Sequence, residues 1–458
     1  MVCLKAYHLP STANSRRTAF RLDMNTVESS FFYSKKDFYQ IGLTRTMEGV
    51  LSYLNIDKPS KIQALSYQDI LHGQSCIVAD QTGSGKTLAY LLPTMQRIIE
   101  LIRNGTISAA PSRSPYLLVI TPTTELANQV GRVVREMANV LKFRSACITS
   151  ASDMDSEQRR LRLGVEVLVC TPGRLLALIK REEISLSLVQ TVVLDEADIL
   201  FMDQSFPLQP IGAACPLTSQ FIFTTATLPE IVVQQILAEF PDLKQLSGPG
   251  LHRIAPTVEE VLIDCSGPPS QVKSVETAFE NKRLALLRSL EQTESDRTLI
   301  FCNTIPQCRA VENALQRADR NNRLRSVYAY HSAIDFKTRE DNLAEFAKPL
   351  LKLPVVLICT DRASRGMDFA KARVDHVILF DFPQEPSGNR STFGSNNSLH
   401  IEYVRRVGRT GRAGRPGKCT ILVQGRQVPI AKKVLGASLE GKRIDPVPEM
   451  GNFESWQR

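Results

Sequence analysis

The sequence predicts an α/β protein built from two tandem domains, each a parallel sheet flanked by helices. Apolar runs of strand length alternate with segments whose apolar residues recur at helical spacing, which is the pattern of repeated βα units. The alternation is interrupted over 246–256 and then resumes. A chain of 458 residues is also too long for one hydrophobic core. We therefore expect domains over 38–245 and 257–440, a linker between them, and a tail over 441–458.

The composition excludes several classes of protein. The longest apolar runs have the length of strands, so no membrane-spanning segment is expected. Ten cysteines are scattered without a Cys-x-x-Cys pair, which argues against a zinc site or a disulfide framework. The net charge of +9 favours a polyanionic partner, but only weakly, because many proteins carry such an excess.

The amino-terminal segment over 1–37 is basic. Its first 22 residues contain no Asp or Glu, but they contain Lys5, Arg16, Arg17 and Arg21 together with several Ser and Thr. An organelle transit peptide has this composition, and an unstructured basic tail fits it equally well. The first reading predicts a chloroplast or mitochondrial protein, and the second a cytoplasmic or nuclear one.

A glycine-rich segment, Asp80–Thr87, lies between an apolar strand and an amphipathic helix. Its glycines let the backbone curl so that several N–H groups face one anion, and the helix N-terminus adds partial positive charge. Its lysine can reach the terminal phosphates of a nucleotide, and its last threonine can ligate Mg²⁺. The candidate contacts are Thr82, Gly83, Ser84, Gly85, Lys86 and Thr87. A glycine-rich hairpin with an incidental lysine is the alternative.

Two further buried strands, Leu117–Ile120 and Val165–Cys170, run into polar turns. Open parallel sheets bind ligands at the carboxyl ends of their strands, so these turns are candidate contacts. The residues concerned are Pro122, Thr123, Glu125, Pro172, Gly173 and Arg174. A plain βα turn would look similar.

A strand beginning at Thr191 delivers the adjacent carboxylates of Asp195 and Glu196. One carboxylate can hold Mg²⁺ while the other polarises an attacking water. A solvated acidic turn is the alternative. The next strand leads to Thr225-Ala226-Thr227.

Buried strands return over 298–304, 355–359 and 377–380 without a second phosphate loop. The sequence therefore predicts two RecA-like domains, of which the second lacks a nucleotide site of its own. In this half, Arg409 and Arg412 are three residues apart, which would place them on one face of a helix. Guanidinium groups suit the charge that develops on a transferred phosphoryl group, and a solvated or RNA-binding basic stretch is the alternative.

Taken in this order, the motifs resemble those of the DEAD-box RNA helicases over roughly Phe38 to Val423. An aromatic residue followed by Pro-Ser-Lys-Ile-Gln looks like the adenine-recognition motif of that family. The resemblance implies that Gln63 reads the adenine edge and that Phe38 stacks on the ring. Asp-Glu-Ala-Asp at 195–198 is identical to the signature of the family.

The resemblance implies an enzyme that uses ATP and Mg²⁺ to unwind or remodel RNA or RNA–protein complexes locally, with RNA as its partner. We expect it to act as a monomer. The implied catalytic residues are Lys86, Asp195, Glu196, Arg409 and Arg412. Asp368 would contact the ATP ribose, and the metal ligands would be Thr87 and Asp195. The implied RNA-binding or coupling residues, beside those of the two turns, are Thr225, Thr227, Asn303, Arg339, Thr360, Arg365, Arg405 and Arg406.

The sequence also departs from the family pattern. Asp80 stands where a small residue usually opens the phosphate loop, so we expect its carboxylate to point away from the triphosphate. Departures on the RNA-facing side are Thr124, Ser332, Phe336 and Arg405, in place of Arg, Gly, Gln and His. They favour an alternative function, an RNA clamp or assembly scaffold with slow ATP hydrolysis and little unwinding. A DNA translocase is disfavoured by the adenine motif.

Residues 1–37 joined to a fluorescent protein should accumulate in an organelle, because their acid-poor, arginine-containing composition is that of a transit peptide. The measurement is imaging in cells of the source organism beside organelle markers. A matched fusion with Arg16, Arg17 and Arg21 changed to Glu should lose the localisation. Diffuse fluorescence of the unaltered fusion would contradict the prediction.

Overall fold

The structure is a computed structural model. It describes residues 32–108, 112–149, 154–203, 205–206, 208–320, 324–361, 372–384, 397–412 and 415–444. The chain divides into two compact units, one running from Phe32 to Leu251 and the other beginning at His252. Each unit is described by itself.

The first unit is a parallel sheet with helices on both faces. Its described helices are α1 (Arg45–Tyr53), α2 (Lys61–Leu71), α3 (Lys86–Arg103), α4 (Thr124–Leu141), α5 (Met154–Leu163), α6 (Pro172–Lys180), α7 (Ala197–Met202), α8 (Leu208–Ala213) and α9 (Glu230–Glu239). Its strands are β1 (Cys76–Ala79), β2 (Leu117–Ile120), β3 (Ser145–Ile148), β4 (Val167–Cys170), β5 (Thr191–Asp195), β6 (Gln220–Thr225) and β7 (Lys244–Ser247). They are arranged in the order β3-β4-β2-β5-β6-β1-β7.

The central strands of this sheet are buried on both faces because helices cover each face. Along β1, Ile77 and Ala79 belong to one apolar cluster, and Cys76 and Val78 belong to the other. This explains why the strands read as continuous apolar runs rather than as alternating patterns. Polar groups lie instead at the carboxyl ends of the strands. The strands β5, β6 and β1 are neighbours in the sheet, so their carboxyl ends lie side by side.

The second unit repeats the architecture. Its described strands are β8 (Val258–Asp264), β9 (Arg297–Cys302), β10 (Ser326–Tyr330), β11 (Val355–Thr360), β12 (His376–Leu379) and β13 (Gly417–Val423). They form a parallel sheet in the order β10-β11-β9-β12-β13-β8. Its described helices are α10 (Val275–Gln292), α11 (Ile305–Ala318), α12 (Phe336–Phe346), α13 (Asn397–Val407) and α14 (Gln427–Leu439).

The predicted fold class is confirmed, and so are the buried strands that carry the motifs. The predicted linker is wrong in its first part. Leu246 pairs with Val78 and Ser247 with Ala79, so β7 is an edge strand of the first sheet, and the first unit continues to Leu251. The error arises because an edge strand with one fully buried side chain has little apolar signal.

The carboxyl-terminal boundary also differs from the predicted one. The backbone N–H of Ile444 donates to the carbonyl of His252 at 2.9 Å, and the Ile444 side chain packs against the core of the second unit. Within the described ranges, the cysteines are free thiols and all but Cys147 are buried. No helix in those ranges combines the length and apolar character needed to cross a membrane.

Candidate active site

The glycine-rich segment forms a loop between β1 and α3, as predicted. Gly83 and Gly85 have φ of +79° and +93°, a region that favours glycine, and Gly85 is the residue from which α3 begins. A Cβ at Gly85 would lie 2.6 Å from Gln63 Nε2, so the close approach of that side chain also requires glycine. The loop therefore presents the amino end of α3, where N–H groups attract an anion.

Lys86 is buried in this loop, and two backbone carbonyls of the loop hold its ammonium. Nζ donates to the carbonyl oxygens of Asp80 at 2.7 Å and Gln81 at 2.9 Å. Burial lowers the pKa of Lys86. The nearby carboxylates that act on this pKa in the opposite direction are those of Glu196, Asp80, Asp195 and Asp198. The predicted cationic and acidic residues of the first unit are therefore brought together.

Asp195 lies at the carboxyl end of β5 and is 5% exposed. Its Oδ2 accepts a hydrogen bond from the Tyr90 hydroxyl at 3.0 Å, and its Oδ1 accepts one from the Thr224 hydroxyl at 2.5 Å. Burial and, next, the charge of Asp195 raise the pKa of Tyr90 well above its usual value, so this hydroxyl remains a donor. The carboxylate is thereby held in one orientation.

Tyr90 and Thr224 are site residues that the sequence analysis missed. Tyr90 lies four residues after Lys86 on α3, so the helical repeat places both on one face, and this signal could have found it. Thr224 is paired with Asp195 between β5 and β6. That contact depends on strand order and register, which no motif in the sequence states.

Glu196 forms a sharp turn between β5 and α7. Its φ is +53°, which is uncommon for a residue with a side chain and marks a constrained site. Asp195 Oδ1 accepts the Glu196 N–H at 3.1 Å and helps to hold the turn. The backbone of Glu196 is thus held in a turn that places its side chain next to Asp195 at the strand end.

The last acidic residue of this segment, Asp198, joins it to the turn after β6. Asp198 Oδ2 accepts a hydrogen bond from the Thr227 hydroxyl, and the Thr225 hydroxyl donates to the carbonyl of Thr227 at 2.5 Å. All three side chains are buried. The predicted coupling residues Thr225 and Thr227 are therefore tied to the acidic segment within the first unit.

Gln63 is fastened to the phosphate loop. Its Oε1 accepts the Ser60 N–H at 2.9 Å, which begins α2 as a capping box, and its Nε2 donates to the carbonyl of Gly85 at 3.1 Å. Phe38 is 6% exposed and packs in the apolar cluster beneath the loop-bearing strands. Contacts of these two side chains with adenine remain predictions.

Asp80 turns its carboxylate towards the end of the first unit. Its Oδ1 accepts the N–H of Gln81 at 2.9 Å and the N–H of Gly250 at 3.0 Å. Burial raises the pKa of Asp80, and the neighbouring Lys86 lowers it. The departure from the family pattern at this position is thus accommodated by specific hydrogen bonds.

The turns after β2 and β4 lie on neighbouring strands of the sheet. Thr123 begins α4 by accepting the Leu126 N–H at 3.2 Å, and Pro172 is the first residue of α6. Gly173 is exposed, and a Cβ there would meet no atom within 4 Å. A side chain at this position would therefore have room. The RNA-binding roles of Pro122, Glu125 and Arg174 in these turns remain predictions.

In the second unit, Arg406 is 2% exposed and joins three strand ends. Its guanidinium forms a two-pronged ion pair with Asp361 after β11, and donates to Asn303 Oδ1 after β9 at 2.7 Å and to the Asp381 carbonyl after β12 at 2.6 Å. Its Cζ lies 5.6 Å from the ring centroid of Phe301. Arg406 therefore joins three strand ends of the second unit, and its role in RNA binding or coupling remains a prediction.

The predicted placement of Arg409 and Arg412 on one helix face is wrong. Helix α13 ends at Val407, and the chain after it forms tighter turns. The Arg409 N–H donates to the Arg406 carbonyl at 3.2 Å and the Thr410 N–H to the Val407 carbonyl at 3.1 Å, before Gly411 takes a φ of +64°. Arg412 Nε donates to the Gly408 carbonyl at 3.1 Å within the resulting turn. Arg405, still on α13, pairs with Glu402 at 2.8 Å.

Two other predicted residues of the second unit, Thr360 and Arg339, lie on different elements. Thr360 ends β11, and the Arg339 guanidinium on α12 lies 5.8 Å from the ring centroid of Tyr330. Arg365 and Asp368 lie outside the described residues.

Replacing Arg406 by Met should lower the free energy of unfolding of the second unit by about 3–5 kcal/mol, because removing one member of a buried ion pair leaves the other without its partner. Arg406→Lys should lose part of this amount, since an ammonium lacks the two-pronged geometry. Urea-dependent hydrogen exchange of β9 and β11 in the whole chain measures the effect. Lys433→Met, at an exposed site, is the control, and equal stability of the two Met variants would contradict the prediction.

Two family models match the chain. The model described as DEAD/DEAH box helicase matches residues 60–236, and the model described as helicase conserved C-terminal domain matches residues 281–414. Together they span both units.

Curated relatives extend the match. DEAD-box ATP-dependent RNA helicase 50 of Oryza sativa subsp. japonica is 41% identical over 423 residues, which are 92% of this chain and 63% of the relative. The protein of the same name from Arabidopsis thaliana is 41% identical over 94% of this chain and 53% of its own length. RNA helicase CrhR of Synechocystis is 30% identical over 87% of this chain and 71% of its own. The chain thus spans between about half and two thirds of the length of the first two relatives.

Solved structures share the fold. Dbp5 of S. cerevisiae bound to RNA and ADP BeF3 superposes with a TM-score of 0.70 at 24% identity, covering 88% of this chain and 93% of that one. Mss116p bound to ssRNA and AMP-PNP gives a TM-score of 0.67 at 20% identity, with 86% and 75% covered.

Proposed function

The chain belongs to the DEAD-box family of helicases, and on that premise we propose that it is an ATP-dependent RNA helicase. It would hydrolyse ATP in the presence of RNA and locally unwind or remodel RNA or RNA–protein complexes. The observation that carries the proposal is the convergence of Lys86 with Asp195 and Glu196 at the carboxyl edge of the first sheet. A buried cation beside a pair of fixed carboxylates suits phosphoryl transfer, in which catalysis is mostly positioning and charge stabilisation.

Each residue has a role that its surroundings support. Lys86 would leave the carbonyls of Asp80 and Gln81 to contact the terminal phosphates, and the N–H groups before α3 would hold those phosphates in place. Glu196, fixed by its strained turn, would accept the proton of the attacking water. Through the hydrogen bond from the Thr227 hydroxyl to Asp198, a displacement of the acidic segment would also move the turn after β6.

The donor set also fits Mg²⁺, which prefers hard oxygen ligands. Thr87 supplies a hydroxyl at the first turn of α3 and Asp195 a carboxylate, and Tyr90 on the same helix hydrogen-bonds that carboxylate. When bound, the ion would neutralise charge on the phosphates. Tyr90 and Thr224 would orient the carboxylate for this purpose, because each fixes one of its oxygens.

An RNA clamp with slow hydrolysis is the second candidate. It is favoured by Arg405, which stands where the family has His and is held by Glu402 in an ion pair at 2.8 Å. A permanently charged donor cannot replace a neutral imidazole as an acceptor. Displacement of a short RNA duplex would identify the helicase, and ATP-dependent retention of single-stranded RNA without displacement would identify the clamp.

Glu196→Gln should retain ATP and RNA but lose hydrolysis by about 10²-fold or more, since it removes a general base and leaves the Asp195 ligand. Lys86→Ala should instead lose ATP binding, because its ammonium is the basic group held inside the loop. RNA-stimulated phosphate release and equilibrium binding of labelled ATP separate the two effects.

Glu48→Gln, an exposed change on α1, is the matched control and should behave as the unaltered protein. Near-normal turnover by Glu196→Gln would contradict the assignment of the base. Hydrolysis stimulated equally by RNA and DNA would contradict the assignment of RNA as the partner.

A further inference from the structure

Asp80 and the turn Gly248-Pro249-Gly250 form a contact that the proposed reaction does not use. Asp80 is 4% exposed, and its Oδ1 accepts the Gly250 N–H at 3.0 Å. The Gly248 N–H donates separately to the carbonyl of Ala79 at 2.8 Å. The turn follows β7 and ends the first unit at Leu251. The opening residue of the phosphate loop is therefore fastened to the last residues of the unit.

Both glycines fit this contact because they lack a side chain, and not because of their backbone conformation. A Cβ at Gly248 would lie 2.2 Å from Asp80 Cγ, and a Cβ at Gly250 would lie 2.5 Å from Gln81 Cδ. Neither glycine takes a positive φ, so a side chain would be compatible with the backbone of either. Glycine is favoured at 248 because the Asp80 carboxyl group occupies the space that a side chain would fill.

The charge of Asp80 depends on Lys86. Burial raises the pKa of Asp80, and Lys86 lowers it, which means that the ammonium stabilises the buried carboxylate. Lys86 Nζ at the same time donates to the Asp80 carbonyl at 2.7 Å. If phosphates draw the ammonium away and add negative charge, the carboxylate loses its main favourable partner. The buried carboxyl group then favours its protonated form and takes up a proton from solvent. Its hydrogen bond to the Gly250 N–H weakens as a result, because an ionised acceptor makes a stronger hydrogen bond than a neutral one.

We propose that Asp80 is a positioning residue that fastens the Gly248–Gly250 turn to the phosphate loop and releases it when a nucleoside triphosphate engages Lys86. The inference rests on the proposed function, since it requires the triphosphate to bind in this loop. The chain passes from Leu251 into the second unit at His252, so the release loosens the segment that connects the units. Asp80 thereby makes that segment responsive to the nucleotide.

Residue-resolved amide hydrogen exchange of the whole chain, with and without Mg²⁺ and AMP-PNP, tests the proposal. AMP-PNP should speed exchange of the Gly250 amide about fivefold, because a charge-assisted bond is roughly twice as strong as a neutral one. The Gly248 amide, whose acceptor is the Ala79 carbonyl, should change much less and serves as an internal control.

Asp80→Asn retains an oxygen acceptor without the charge, so exchange of Gly250 should no longer respond to AMP-PNP. Asp80→Ala should make that amide exchange fast under both conditions. A purely structural role would alter the exchange rate without altering its response to the nucleotide, which is why the Asn variant decides the question.

The close packing of Gly248 against the Asp80 carboxyl group can be tested separately. Gly248→Ala should lower the melting temperature, and the added change Asp80→Ala should restore part of it by removing the carboxyl group that meets the new Cβ. Gly212→Ala, where a Cβ meets no atom within 4 Å, is the control. Additive effects of the two changes would overturn the proposed contact.

The outcomes distinguish the inference from the proposed function. If AMP-PNP protects the amides of Gly83 and Gly85 while Gly250 exchange stays constant, the inference is overturned and the nucleotide site stands. If AMP-PNP protects neither loop amide, the proposed function fails and the inference fails with it.

Discussion

The first unit is organised around the buried positive charge of Lys86, which neighbouring protein groups must stabilise in place of water. The ammonium is desolvated, so it needs both hydrogen-bond acceptors and negative charge close by. The carbonyls of the loop supply the acceptors, and the strand end at Asp195 supplies charge. Because parallel strands end at one edge of the sheet, the sheet itself brings these groups together.

The second unit solves a similar problem with a different cation. Arg406 is even less exposed than Lys86, and its guanidinium is bonded to Asp361, Asn303 and a carbonyl of its own unit. A planar group with several fixed donors suits such a junction, whereas a single ammonium on a flexible stem suits a group that changes partners. The same sheet edge therefore carries the candidate nucleotide site in one unit and a structural junction in the other.

The fold was predictable from the sequence because strands buried on both faces leave continuous apolar runs. The phosphate loop and the acidic strand end were predictable because their chemistry is local in sequence. Thr224 was not, since its contact with Asp195 depends on strand order. The predicted helical placement of Arg409 was wrong because α13 ends at Val407 and tighter turns follow it. Strand β7 was missed because an edge strand buries few side chains. Sequence patterns report local chemistry well and cross-strand partners poorly.

The contact between Asp80 and Gly248 also links two positions that are distant in the sequence. With a small residue at 80, position 248 could carry a side chain as far as this contact is concerned, since its backbone does not demand glycine. With Asp at 80, a Cβ at 248 would lie 2.2 Å from the carboxyl carbon, so a side chain there requires the carboxyl group to move away from its hydrogen-bond donors. Substitutions at the two positions are therefore interdependent, and a larger residue at 248 is better tolerated when residue 80 is small.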